Sequence, residues 1–96
     1  MSMNLQQLKE RREAIIEIAS RNRAFNVAVF GSVARGDQTA ESDVDLLVDF
    51  LPGSSLVDEY RLEKQLSEYL SVSIDLVPRA GLKDRDSHIR EESVIL

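Results

Sequence analysis

Apolar residues recur along this chain with two periods, and each period marks a type of element. Leu5, Leu8, Ile15, Ile16 and Ala19 return at near-helical spacing. That predicts an amphipathic helix over 5–22, with Arg11, Arg12 and Glu13 on its wet side. Asn4, followed by Gln7, can act as a capping pair at its start. The run Phe25-Asn-Val-Ala-Val-Phe30 is β-branched and aromatic and predicts a short strand over 25–30. Residues 32–35 then read as one helical turn stopped by Gly36, and 37–42 as a polar loop. From 43 to 50 the period is two. Val44, Leu46, Val48 and Phe50 form one side of a strand, and Asp43, Asp45, Leu47 and Asp49 the other. Pro52-Gly53 ends it. Ser54 or Ser55 can cap a helix reaching about Leu70, with Leu56, Tyr60, Leu66 and Leu70 among its inner positions. A third strand over 72–77 turns Asp75 away from Val72, Ile74 and Leu76, and Pro78 closes it. Residues 83–92 predict a short, highly charged helix, and 94–96 are an apolar end.

The order is helix, strand, one-turn helix, strand, helix, strand, helix, with no repeat, linker or low-complexity tract. This predicts an α/β (α+β) fold: a small mixed sheet with helices packed on one face and carboxylates on the other. At 96 residues the expectation is a single domain over 1–96, near the small end of what folds alone. The apolar share of 43% is too high for a disordered chain. Cysteine is absent, which excludes disulfides and thiolate metal sites. No apolar run approaches the ~18–20 residues of a membrane span, and no signal-peptide pattern opens the chain. A cytoplasmic protein without membrane contact is expected.

Charge sharpens the picture of partners. The net charge is −5, but residues 1–24 sum to +2 and residues 25–96 to −7. An acidic main body argues against direct nucleic-acid binding, because phosphate contacts dominate such complexes. It suits pairing with a more basic protein, and it serves solubility equally well.

The chemistry concentrates in one stretch. Gly31-Ser32 follows an apolar strand, and ten residues later comes Asp43-Val44-Asp45. A Gly-Ser pair there can present backbone N–H groups to a phosphate. Two Asp residues at i and i+2 of a strand share a face and repel each other unless a divalent cation lies between them. Asp is depleted in strands, so Asp43, Asp45 and Asp75 need a reason. If the third strand pairs beside the second, all three carboxylates converge. Together these parts make a site for a metal-bound nucleoside triphosphate. Arg35 could bridge to phosphate or pin the loop by pairing with Asp37. Asp49 reads as a solvated strand end, His88 and Glu91-Glu92 as solvated helix surface, and Tyr60 and Tyr69 as packing residues.

The string Gly31-Ser32-x10-Asp43-x-Asp45 resembles the signature of the DNA polymerase β-like nucleotidyltransferase superfamily. The variant Gly-Ser-Val-Ala-Arg-Gly, on so short a chain, is similar to the minimal nucleotidyltransferase (MNT) group. The resemblance covers about residues 25–78 well and the flanks weakly. It implies the polymerase β-like fold, whose element order agrees with the one read above. It implies triphosphate binding at Gly31 and Ser32, Mg²⁺ (two ions) held by Asp43, Asp45 and Asp75, and ATP as substrate. Asp43 and Asp45 would serve both ions, and Asp75 the one that activates the attacking hydroxyl. It also implies an antitoxin that transfers AMP to a hydroxyl, of a Tyr, on a HEPN-type toxin. No residues remain for a domain gripping template or primer, so templated polymerisation is not expected. The alternative is a non-catalytic nucleotide-binding module that neutralises a partner by covering it. A small-molecule nucleotidyltransferase would need a further substrate-binding domain.

Overall fold

The computed structural model describes residues 3–96. The elements run α1 (Leu5–Glu10), α2 (Arg12–Arg21), β1 (Ala24–Phe30), α3 (Gly31–Arg35), β2 (Val44–Phe50), α4 (Leu56–Leu70), β3 (Ile74–Pro78), α5 (Ser87–Glu92) and β4 (Val94–Ile95). Two 3₁₀ turns, Arg79–Gly81 and Asp84–Asp86, lie between β3 and α5. The strands form one mixed sheet in the order β3-β2-β1-β4. β1 runs antiparallel to both β2 and β4, and β2 and β3 are parallel, joined through α4.

The capping pair at Asn4 forms as expected: Gln7 N–H donates to Asn4 Oδ1 at 2.8 Å, and Asn4 N–H to Gln7 Oε1 at 2.9 Å. The helix it starts is not continuous to residue 22. It breaks at Arg11 (φ −106°, ψ 11°) into α1 and α2. Residues 9–13 are all exposed, so no core side chain holds that turn straight. Arg11 lies instead over the Tyr69 ring, 5.7 Å from its centroid.

β1 carries a bulge that the sequence did not announce. Its register with β2 shifts between Phe25 and Ala28, and Asn26 takes a left-handed φ of 52°. Asn26 Nδ2 donates to Asp49 Oδ2 at 3.0 Å, and Arg79 Nη1 pairs with the same oxygen at 3.0 Å. Asp49 is therefore a bracket across the bulge rather than a solvated strand end. β2 begins at Val44, one residue later than expected, and leaves Asp43 just outside the ladder. β3 runs Ile74–Pro78 instead of 72–77. Pro78 fits within it because β3 is an edge strand.

The main core lies on one face of the sheet. Val27, Val29, Val44, Leu46, Val48, Ile74 and Leu76 meet Leu8 of α1, Ile15 and Ala19 of α2, and Leu62, Leu66 and Leu70 of α4. Ser55 rather than Ser54 caps α4, in a capping box with Asp58. The inner stripe of α4 keeps the expected Leu66 and Leu70 but differs in its first turns. Leu62 is buried, whereas Leu56 and Tyr60 are 82% and 66% exposed. Asn22 is buried between α2 and α4, and its Nδ2 donates to Ile18 O (2.9 Å) and Gln65 Oε1 (2.8 Å). The opposite face has a small apolar cluster of Ala28, Phe30 and Leu47, partly covered by Val77, Leu82 and Ile89. The large helices thus pack on one face, as expected, while α5 crosses part of the other. Among the described residues no helix is long and apolar enough to cross a membrane.

Candidate active site

Three strands meet at Asp45. In the antiparallel ladder Asp45 stands opposite Phe30, the last residue of β1, and in the parallel ladder it stands opposite Asp75. The register that buries Leu46 and Leu76 on one face therefore puts Asp45 and Asp75 side by side on the other. The chain leaving β1 turns at Gly31, with φ 73°, directly over the Asp45 side chain. A Cβ at Gly31 would collide with Asp45 Oδ2. Glycine is required here twice over, by the left-handed backbone and by the close approach.

α3 is the single helical turn expected, and it closes as expected at Gly36, whose φ is 82°. Ser32 supplies the carbonyl that closes it, accepting from Gly36 N–H at 2.9 Å and Asp37 N–H at 3.0 Å. Asp43 and Asp75 are exposed, and Asp45 is part-buried. Burial pushes the Asp45 carboxyl up to about 6, assisted by the negative charges of Asp75 and Asp43 and by a hydrogen bond with Asp75; Arg35 pulls the other way. Of the three carboxylates expected to converge, Asp45 and Asp75 stand opposite each other in the ladder, while Asp43 lies just outside it, near enough for its charge to act on Asp45.

This donor set suits a divalent cation: hard carboxylate oxygens whose repulsion a cation would relieve. Among the described residues, no three His, Cys, Asp or Glu groups close around a single point as they lie.

Arg35 does more than either role considered for it. Its Nε donates to Asp37 Oδ2 at 3.3 Å, and its Nη1 donates to Glu92 Oε2 at 3.0 Å. The second partner was not foreseen. Glu92 is no solvated helix residue: its other oxygen, Oε1, accepts the Gly31 N–H at 3.0 Å. Burial raises the Glu92 carboxyl, but the Gly31 and Arg35 hydrogen bonds outweigh it and leave the group below the usual range. Glu92 arrives here because β4 pairs Val94 with Val29, which lays the end of α5 beside the Gly31 turn. The only trace in the sequence is a carboxylate two residues before an apolar terminal run, too common a pattern to single out. His88 is exposed, as expected. Tyr60 is surface rather than packing.

The pattern of the nucleotidyltransferase domain family matches residues 8–96, nearly the whole chain. The chain belongs to this family. A solved structure described as a candidate minimal nucleotidyltransferase superposes on this nucleotidyltransferase domain with a TM-score of 0.86 at 42% identity, covering 98% of this chain and 97% of that one. A Methanocaldococcus jannaschii chain described as a candidate protein adenylyltransferase is 37% identical over 87 residues, 86% of this chain and 90% of its own. The protein adenylyltransferase MntA of Thermococcus cleftensis is 40% identical over 67 residues, 70% of this chain and 68% of its own. Among curated relatives the matched stretch runs from 58% to 90% of the relative's length. The same fold, at 21% identity and a TM-score of 0.73, occurs in a crystal structure of a toxin–antitoxin with AMP-PNP, over 86% of this chain and 69% of that one. The expected superfamily and polymerase β-like fold are thereby established.

Proposed function

We propose that this chain is a protein adenylyltransferase that moves AMP from ATP to a hydroxyl, of a Tyr, on a HEPN-type toxin, and so acts as that toxin's antitoxin. The observation that carries the chemistry is the seating of the Gly31 turn directly over Asp45, with Asp75 alongside. A phosphate-approaching backbone and a carboxylate cluster share one spot. The protein-modifying role draws support from the names of the relatives. The toxin partner draws support from the fold neighbour crystallised as a toxin–antitoxin.

In this reading the Gly31 turn and Ser32 receive the triphosphate, and Arg35 steadies it once its own carboxylate partners give way. Asp43, Asp45 and Asp75 would hold Mg²⁺, two ions by the resemblance, which supplies neutralisation of the triphosphate and a lower proton cost at the hydroxyl. The hydroxyl oxygen forms a bond to the α-phosphorus, the bond from that phosphorus to the bridging α–β oxygen breaks, and pyrophosphate leaves. The hydroxyl proton passes to the carboxylate cluster, in which Asp43 and Asp75 are the exposed members. The product carries a negatively charged, bulky AMP that would obstruct an RNA phosphate at the toxin's cleavage site. The −7 balance of residues 25–96 suits docking to a basic, RNA-cutting partner.

Intact-mass spectrometry of toxin incubated with Mg-ATP and a tenfold deficit of this protein tests the proposal. A catalyst adds the mass of AMP to most toxin molecules and leaves them inactive after it is removed. A covering module leaves the mass unchanged, protects only one-to-one, and releases active toxin when stripped away. The second outcome would replace the proposal with the non-catalytic alternative.

A further inference from the structure

We infer that Glu92 is a built-in competitor for the nucleotide: its carboxylate takes the place of a phosphate on the Gly31 N–H and Arg35, and ATP binding must displace it. This deepens the proposed function, since it rests on the Gly31 turn being the triphosphate seat. Both Glu92 oxygens are engaged, Oε1 by Gly31 N–H and Oε2 by Arg35 Nη1, each at 3.0 Å. The side chain is 22% exposed, less than half the exposure of Arg35 at 50%, so the carboxylate lies inside the site rather than across its rim. A backbone N–H and a guanidinium joined to a two-oxygen anion is the arrangement a phosphate would take. The anion simply comes from the same chain.

The competitor is attached to a small edge element of the fold. Glu92 ends α5 and is followed at once by β4, the two-residue edge strand. β4 is held by its pairing with Ala28 and Val29, and Leu96 N–H donates to Val27 O at 3.0 Å. Displacing Glu92 therefore loosens the 87–96 arm. The arm in turn lowers the apparent affinity for ATP by the fraction of time Glu92 occupies the donors.

Titration calorimetry with Mg-ATP, and separately with Mg-tripolyphosphate, tests this on wild type, Glu92→Gln and Glu92→Asp. Gln removes the anion. Asp keeps the charge but is one methylene too short to reach both donors. Displacement predicts that both variants bind both ligands about threefold or more tightly than wild type, and that Mg-ATP raises amide exchange at residues 94–96 in wild type. Tightening by Gln alone would reduce Glu92 to a general field effect and overturn the inference. Weaker binding by Glu92→Gln would make it a residue that positions Arg35, and would also overturn it. If a variant does not fold, wild-type exchange decides: no change at 94–96 on saturation with Mg-ATP refutes displacement. Absence of binding of either ligand to wild type and variants alike would instead overturn the nucleotide reading itself.

Discussion

Asp45 holds its carboxyl against burial and two neighbouring negative charges. Its carboxyl is raised from 3.8 to about 6 in the folded chain, so the folded state holds that proton more tightly than the unfolded one. The stability contribution is present below about pH 4 and is lost as pH rises through about 6. Asp45→Asn should therefore leave stability unchanged near pH 4 and raise it at pH 7.5 by about 1 kcal/mol, a value discounted for solvent screening of a part-exposed group. Urea melts in EDTA at the two pH values check the sign. The same substitution, or Asp43→Asn, should abolish AMP transfer and weaken Mg-ATP binding in calorimetry, with the fold intact; unchanged affinity and turnover would remove both residues from the site. Asp75 sits on β3, a different strand from Asp45 on β2. Asp75→Asn should keep much of the nucleotide affinity and lose most of the transfer rate. A rate within about threefold of wild type, worth only ~0.65 kcal/mol of barrier, would exclude it from the reacting cluster.

At the scale of elements, α4 shows how a helix can be right in extent and in the second half of its inner stripe, Leu66 and Leu70, yet wrong in the first half. Its limits and its N-terminal serine cap were readable, but Leu56 and Tyr60 face solvent while Leu62 fills the core. Leu62, Leu66 and Leu70 at four-residue spacing satisfy the same period as the expected stripe. Only the position of the sheet decides between them. Leu62→Ala should cost roughly 2–5 kcal/mol through lost burial and a residual cavity. Leu56→Ala should stay within about ±0.5 kcal/mol. Equal effects in paired denaturation curves would contradict the observed phase. β4 matters out of proportion to its two residues, because its pairing with β1 is what delivers Glu92 to Gly31.

At the scale of the whole molecule, charge is what the proposed docking to a basic partner rests on. With residues 25–96 at −7 and residues 1–24 at only +2, the chain alone should show no RNA retention in filter binding at about 0.15 M salt, since the net charge repels phosphates. Its association with a basic toxin should slow as salt rises, with dissociation changing less. A salt-independent association rate would show that the acidic body does not steer the encounter.

The sequence by itself determined the element order as far as α5, though not the strand β4 that follows it, the spacing of Gly31-Ser32 from Asp43 and Asp45, and the caps at Asn4 and Gly36. These are local or strictly periodic features, set by backbone preferences and by side chains within a few residues of each other. Tertiary structure alone decided the break at Arg11, the bulge at Asn26, the bracket from Asp49 to Arg79 and the inner stripe in the first turns of α4. It also decided that Glu92, 61 residues along the chain from Gly31, closes on the same donors. Each of these depends on which strand lies beside which and in what register. Strand register is a property of the assembled sheet, because slipping it by one residue exchanges every buried side chain for an exposed one.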